Sequence, residues 1–193
     1  MIQPPTAPAT PAPGPASAPF DQREFRNALG SFATGVTVVT ATDDNGRHVG
    51  MTVNSFAAVS LDPPLVLWSL VAHSPSAPAF LRSRHFAVNV LALGQRELSR
   101  TFSQASADKY AGVPTRPGLG GAPLLVGAVA HFECQLERTL PGGDHVILLG
   151  RVLRFSHARA PTLIFCNGRY MRGHELEPNA DADSEIAKAW SGL

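Results

Sequence analysis

A neighbouring acid and imidazole, Asp144 and His145, stand at the start of an apolar segment that runs to Val152. Imidazole is the one side chain whose unperturbed pKa lies near neutrality, so it exchanges protons readily at physiological pH. A carboxylate beside it can fix its tautomer, and Gly142 and Gly143 before the pair let the backbone turn sharply. The pattern indicates ligand orientation or proton transfer at the mouth of a strand, with a solvated loop as the alternative interpretation.

A second polar group of residues lies between Gly50 and Pro64, where Thr52, Asn54 and Ser55 follow an apolar stretch. Small hydroxyl side chains and free backbone amides are what a phosphate-bearing, hydrogen-bond-rich ligand requires. The same residue types also close ordinary turns, which is the alternative interpretation here.

Composition limits the classes of protein that this chain can belong to. With 193 residues and 44% hydrophobic content, it is long enough for one domain with a sizeable core. The formal net charge is +1, and no basic stripe suits nucleic acid or an anionic membrane surface. The longest apolar stretches fall far short of the roughly 20 residues that span a bilayer. Cys134 and Cys166 lack partners at metal-ligand spacing, which indicates free thiols in a reducing cytoplasm and no metal site.

The chain divides into three segments by composition. Residues 1–19 are rich in Pro and Ala and are expected to form a disordered leader without the features of a signal peptide. Residues 20–174 carry the apolar patterning of a folded domain. Residues 175–193 are a polar tail in which Ile186 and Trp190 suit a short helix.

Alternating hydrophobicity, bounded by Gly, Pro and polar clusters, predicts six or more strands and therefore a mainly β, antiparallel barrel. The turn at residues 43–46 predicts a hairpin. Asp21 and Glu24 resemble a capping box that opens a short helix. The predicted strands are 36–42, 48–53, 65–70, 86–91, 128–138, 145–155 and 162–166, and two further helices are predicted at 76–84 and 95–104, flanking or plugging the barrel.

Alternation within the strand at 128–138 assigns its side chains to two faces of a half-exposed sheet. The first set faces the core and the second faces solvent. These sets are Ala130, Phe132, Cys134 and Leu136, and His131, Glu133, Gln135 and Glu137.

Several motifs, in this order, resemble those of the flavin reductase-like family of FMN-binding split barrels. The resemblance covers about 25–171 and is strongest toward the reductase components of two-component flavin-dependent monooxygenases. It implies a homodimer of Greek-key split β-barrels that reduces FMN or FAD with NADH or NADPH and supplies a partner oxygenase with reduced flavin. The motifs are GVTVVT at 35–40, GMTVNSF at 50–56, VSLDPP at 59–64, FAVNVL at 86–91, DKYAG at 108–112, GDH at 143–145 and FCNGRY at 165–170.

The resemblance also implies roles for individual residues. His145 would line the nicotinamide site and Asp144 would fix its tautomer. N-capping is an equal alternative for Ser74 and Ser76, and a solvated surface charge is one for Lys109. The implied flavin contacts are Thr52, Val53, Asn54, Ser55 and Ser69, with Ser74 and Ser76 at the phosphate, Asn89, Val90 and Leu91 beside the isoalloxazine, Phe102 and Lys109 closing the pocket, and Thr34, Gly35, Arg169 and Tyr170 on the nicotinamide side.

Three other functions remain as alternatives. A non-catalytic flavin- or haem-binding split barrel would hold a ligand at the same rim without turnover. An oxidase of the pyridoxamine-phosphate type would need a basic cluster for a second phosphate, and none occurs within 52–64. A purely structural dimer module leaves both polar constellations unexplained. No G-x-G-x-x-G motif opens a helix after a strand, so NAD(P)H would bind in the barrel's own groove.

Overall fold

The computed structural model describes residues 21–106 and 108–174. The predicted leader at 1–19 and tail at 175–193 therefore lie outside the described residues. The three α-helices of the described part are α1 (Gln22–Gly30), α2 (Ala77–Arg82) and α3 (Arg96–Ser103). Its strands are β1 (Thr34–Gly35), β2 (Thr37–Thr42), β3 (His48–Val53), β4 (Ala57–Leu61), β5 (Pro64–Val71), β6 (His85–Val90), β7 (Thr115–Pro117), β8 (Pro123–Leu125), β9 (Ala130–Gly142), β10 (His145–His157), β11 (Leu163–Cys166) and β12 (Arg169–Arg172).

Antiparallel pairing joins these strands into three sheets. The largest has seven strands in the order β3-β2-β6-β9-β10-β5-β4, which leaves β3 and β4 at its edges. A second sheet has the order β1-β11-β12, and β7 pairs with β8 in a third. The predicted mainly β, antiparallel architecture with a few flanking helices is confirmed. No helix within the described ranges is both long and apolar enough to cross a bilayer.

Two hydrophobic clusters hold the sheets and helices together. The first centres on Trp68, which is fully buried and packs edge-on against Phe80 of α2 at 5.1 Å and Phe86 of β6 at 6.0 Å between ring centroids. The second combines buried side chains of the first and third sheets with Phe102 of α3 and Leu163 of β11. Because α3 and β11 both contribute to this second cluster, the three-stranded sheet is held against the seven-stranded one.

Local polar contacts account for one predicted helix start and one predicted turn. The Asp21 carboxylate accepts hydrogen bonds from the backbone N–H groups of Arg23 and Glu24, so it caps α1 as predicted. In the hairpin between β2 and β3, the Asp43 carboxylate accepts from the N–H groups of Asn45 and Arg47. These bonds confirm the predicted turn.

The predicted exposure of the outer face of β9 is wrong at two residues. His131 and Glu133 are buried because the segment 119–125 covers them. His131 Nε2 lies 2.9 Å from the carbonyl oxygen of Leu125, and the Glu133 carboxylate accepts from Leu119 N at 2.6 Å and from Arg154 at 2.8 Å. The polar groups are therefore satisfied inside the fold, a long-range effect that alternation within one strand does not reveal.

Five strands were not predicted: β1, β4, β7, β8 and β12. In β4 nearly every residue is exposed, so hydrophobic alternation gives no signal. The other four have at most four residues each, too few for a period to appear.

Candidate active site

A cavity of about 300 Å³ lies where the end of β3 meets α3 and the small sheet. It brings together four residues that the sequence singled out, namely Thr52, Val53, Asn54 and Tyr170. The remaining lining residues were not among the predicted site residues. These are Val36, Ser99, Ser103 and Phe165.

The wall formed by β3 is well fixed. Thr52 Oγ1 donates to the carbonyl oxygen of Ser99 at 2.7 Å, and Thr37 Oγ1 donates to that of Val53 at 3.0 Å. As β3 is an edge of the large sheet, its outward N–H and C=O groups have no neighbouring strand in that sheet. Such an edge can offer main-chain hydrogen bonds to a ligand.

Ser55 and Ser69 form a clip between the segment after β3 and strand β5. Ser55 Oγ accepts from Ser69 N at 2.9 Å and donates to Ser69 O at 3.3 Å. Both partners are half-buried, so the clip holds the turn after Asn54 against the sheet.

The Asp144–His145 pair stands at the start of β10, which pairs with the end of β5. His145 is opposite Val71 in that register, and Ala72 N donates to Asp144 O at 3.0 Å. His145 Nδ1 lies 2.7 Å from Asp144 Oδ1, so Nδ1 carries the proton because a carboxylate only accepts. The hydrogen bond from His145 lowers the pKa of the Asp144 carboxyl. Neither residue lines the cavity beside Thr52 within the described chain.

Tyr170 of β12 is held by aromatic and cationic neighbours. Its ring meets that of Phe165 edge-on at 5.5 Å, and the Arg96 guanidinium lies 5.7 Å from the ring centroid. Thr34 pairs with Phe165 across β1 and β11, and its buried Oγ1 has no hydrogen-bond partner among the described residues. Arg169, at the start of β12, is exposed.

A second cavity, of about 330 Å³, contains Ser76 and Lys109. Lys109 Nζ donates to the carbonyl oxygens of Gly50 and Phe102, both at 3.1 Å, and burial lowers its pKa. It is therefore not a solvated surface charge. Ser76 occupies the N-cap position of α2 without a side-chain cap bond, and Ser74 Oγ is buried without a hydrogen-bond partner among the described residues. Ser74 does not line this cavity, so a partly buried cation and the Ser76 hydroxyl are the groups there that fit an anionic ligand.

Three of the predicted contacts lie in the interior of the described chain. Asn89, Leu91 and Phe102 have no exposed surface. The Asn89 amide donates to Val38 O at 2.9 Å, and its oxygen accepts from Leu125 N at 2.8 Å. Leu91 and Phe102 belong to the cluster against which Phe165 and Tyr170 pack, so they support the cavity wall from the core. Of the other predicted contacts, Val90 is half-buried and Gly35 is exposed.

A third and larger cavity, of about 630 Å³, adjoins the first because both are lined by Asn54 and Phe165. Its other walls include Arg26 and Phe32 and the turn at Asn167. For the helical wall of the first cavity the sequence held one signal that was not used: Ser99 and Ser103 are four residues apart on a predicted helix and therefore share a face. No group of three His, Cys, Asp or Glu residues in ranges 21–106 and 108–174 could hold a metal ion.

The chain is similar in sequence to known flavin reductases. The flavin reductase like domain model matches residues 29–174. The chain is 46% identical to FMN reductase (NADH) SmoA of Agrobacterium fabrum, covering 79% of this chain and 86% of that one. It is 44% identical to the flavin-dependent monooxygenase reductase subunit HsaB of Rhodococcus jostii, covering 78% and 77%. It spans 49% of the length of one longer relative.

Among solved structures, the fold resembles the NADH:FAD oxidoreductase SgcE6 of Streptomyces globisporus in complex with NAD and FAD fragments. The TM-score is 0.75 at 39% sequence identity, and the match covers 83% of this chain and 96% of that one. The residues matched by the family model, 29–174, include every lining residue of the first two cavities.

Proposed function

The chain belongs to the flavin reductase-like family, and from this premise we propose that it is an NAD(P)H-dependent flavin reductase with FMN or FAD as acceptor. The observation that carries the proposal is the cavity in which the edge of β3, at Thr52–Asn54, faces Tyr170 of β12. Two ligand-facing elements from different sheets thus share one space, as a reaction between two bound ring systems requires.

The residues present fit a flavin. The edge backbone at Thr52 and Val53 would bind the polar rim of the ring, and the Ser55–Ser69 clip would keep that edge in place. The hydroxyl of Ser76 and the cation of Lys109, which line one cavity, would hold the phosphate. When bound, the flavin accepts at N5 the hydride that leaves C4 of the reduced nicotinamide, so the cofactors supply the reactivity.

The chain's own contribution to the reaction is positioning. Tyr170 would stack against or hydrogen-bond the nicotinamide, and Arg169 would contact its nucleotide. Stacking at near-attack distance can contribute about 7–11 kcal/mol in favourable systems. His145 would orient the ring edge from the start of β10, with its tautomer fixed by Asp144.

The proposal extends to partners and location. The name of the HsaB relative describes a reductase subunit of a monooxygenase, and this chain would likewise pass reduced flavin to an oxygenase. It would act as a homodimer in the cytoplasm, where the two free thiols, Cys134 and Cys166, stay reduced.

The test is the rate of loss of nicotinamide absorbance with NADH and, separately, NADPH, without flavin and with added FMN or FAD. Flavin-stimulated oxidation is expected and identifies both the nucleotide and the preferred flavin. Flavin binding without any oxidation would instead support the non-catalytic binding barrel.

A further inference from the structure

Ser99 of α3 is a fully buried polar residue that lines the cavity between β3 and β12. Its backbone oxygen accepts the hydrogen bond from Thr52 Oγ1 at 2.7 Å. Its side-chain Oγ lies 2.9 Å from the Tyr170 hydroxyl. One helical residue therefore contacts both walls of the cavity, with a different atom for each.

The helix that carries Ser99 is itself held firmly against β3. Phe102, one turn on from Ser99, is fully buried, and its carbonyl oxygen accepts from Lys109 Nζ at 3.1 Å. Its ring fills the space above Gly50, where an added Cβ would come within 2.7 Å of ring carbon. The backbone of α3 is thus a fixed reference for the position of both walls.

Tyr170 lies on β12, the outer strand of the three-stranded sheet, where Phe165 of β11 is its direct cross-strand partner. The Phe165 ring and the Arg96 guanidinium restrict the tilt of the Tyr170 ring, and the Ser99 hydroxyl fixes the position of its phenolic oxygen. Ser99 is fully buried and Tyr170 is half-buried, so this hydroxyl pair fixes the phenolic oxygen more firmly than a solvent-exposed pair would.

We propose that Ser99 is a positioning residue that sets the Tyr170 hydroxyl relative to the Thr52–Asn54 edge and so fixes the nicotinamide nucleotide against the flavin. The inference rests on the proposed function, and it assigns to α3 the spacing between the two binding walls. Ser99 itself touches neither the reacting atoms nor the hydride.

Replacing Ser99→Ala tests one contact alone, since the backbone oxygen that accepts from Thr52 is retained. We expect the KM for NADH and the Kd of NAD⁺ for the FMN-loaded protein to rise about three- to tenfold, from the loss of one buried hydrogen bond. The Kd of FMN should change less than about twofold, because the bond to Thr52 persists. Thr101→Ala is the matched control: it removes a hydroxyl from the same helix, but that hydroxyl is exposed and donates to the Glu97 carbonyl oxygen instead of to Tyr170.

A double-mutant cycle separates positioning from general loss of stability. Tyr170→Phe removes the same hydrogen bond from the half-buried partner, and it serves if Ser99→Ala fails to fold. If Ser99 acts through Tyr170, the double variant binds NAD⁺ no more weakly than Tyr170→Phe alone. Additive losses, or weakened FMN binding with unchanged NAD⁺ binding, would overturn the inference.

The two proposals can fail separately. If the native protein oxidises no NADH, the proposed reductase function fails, and the NAD⁺ titrations still decide the role of Ser99. If the native protein oxidises NADH but Ser99→Ala leaves both KM and the Kd of NAD⁺ unchanged, only the role of Ser99 is rejected.

Discussion

At the scale of single residues, the Asp144–His145 pair is the group to which we assign orientation of the nucleotide but not binding of the flavin. The hydrogen bond from His145 lowers the Asp144 pKa. A group whose folded-state pKa is depressed contributes stability above its ordinary pKa, and that contribution is lost as the pH falls through the lowered value. Across the neutral range Asp144 therefore stays ionised and keeps the proton of His145 on Nδ1.

We expect His145→Ala to slow hydride transfer about three- to tenfold, the effect of one lost orienting hydrogen bond. Flavin affinity should be retained, because His145 lies outside the cavity beside Thr52. Asp144→Asn should cause a smaller loss, since an amide oxygen can still accept from Nδ1. Rapid-mixing measurement of flavin reduction gives these rates. His157→Ala, at the exposed far end of the same strand, is the control, and native turnover of His145→Ala at saturating NADH would remove His145 from the site.

Asn89 shows how a residue near a ligand site can act only through the fold. Its amide donates to Val38 O and Thr40 Oγ1 and accepts from Leu125 N, all in the interior. We expect Asn89→Ala to lower the free energy of unfolding by about 1–3 kcal/mol for each buried group left unpaired. Urea unfolding measures this loss. Asn27→Ala, at an exposed site on α1, should stay within about 0.5 kcal/mol of the native protein.

At the scale of elements, the contact between β3 and α3 determines the shape of the cavity. A methyl group at Gly50 would meet the Phe102 ring at 2.7 Å and the Tyr110 hydroxyl at 2.9 Å. We expect Gly50→Ala to destabilise the protein by about 1–3 kcal/mol through overpacking, and to weaken flavin binding because α3 shifts away from Thr52. Gly94→Ala, with open space around its added Cβ, is the control. Equal melting temperatures for the two variants would contradict the assigned contact.

Elements with a clear period could be predicted from the sequence, and those without one could not. The hairpin of β2 and β3 was predicted because Val, Thr and a polar turn all agree there. The exposed edge strand β4 lacks alternation, and the burial of His131 and Glu133 depends on a segment that is close only in the folded chain. The local sequence pattern therefore predicts most strands and helices, but it does not predict which segments cover each face of a sheet.

Some residues of the candidate site could likewise be predicted from the sequence, and others could not. Thr52–Asn54 and Tyr170 were predicted through motifs, and the structure places them in one cavity. Ser99 and Phe165 were missed, because their importance comes from contacts between distant elements. Asn89 and Phe102 were expected at the ligand, whereas their side chains face the core, a distinction that depends on tertiary packing.

At the scale of the whole molecule, the first cavity lies at the junction of two sheets. Edge strand β3 belongs to the seven-stranded sheet and β12 to the three-stranded one, and α3 bridges them. A site assembled from separate sheets can place two ligands face to face, while the spacing between them is set by a third element. This arrangement supports the proposal that β3 binds the flavin and β12 binds the nicotinamide.

The second edge of the seven-stranded sheet, strand β4, supports the proposed homodimer. Among the described residues no strand pairs with the outer side of β4, which exposes Val59 and Leu61, the latter at 66%. Burial of an apolar sheet edge favours pairing with a second chain. We expect light scattering to give twice the chain mass of 20.4 kDa, and Leu61→Lys to shift the protein toward monomer. Val126→Lys, at an exposed apolar residue outside the large sheet, should leave the mass unchanged; a monomeric native protein at working concentration would reject the dimer.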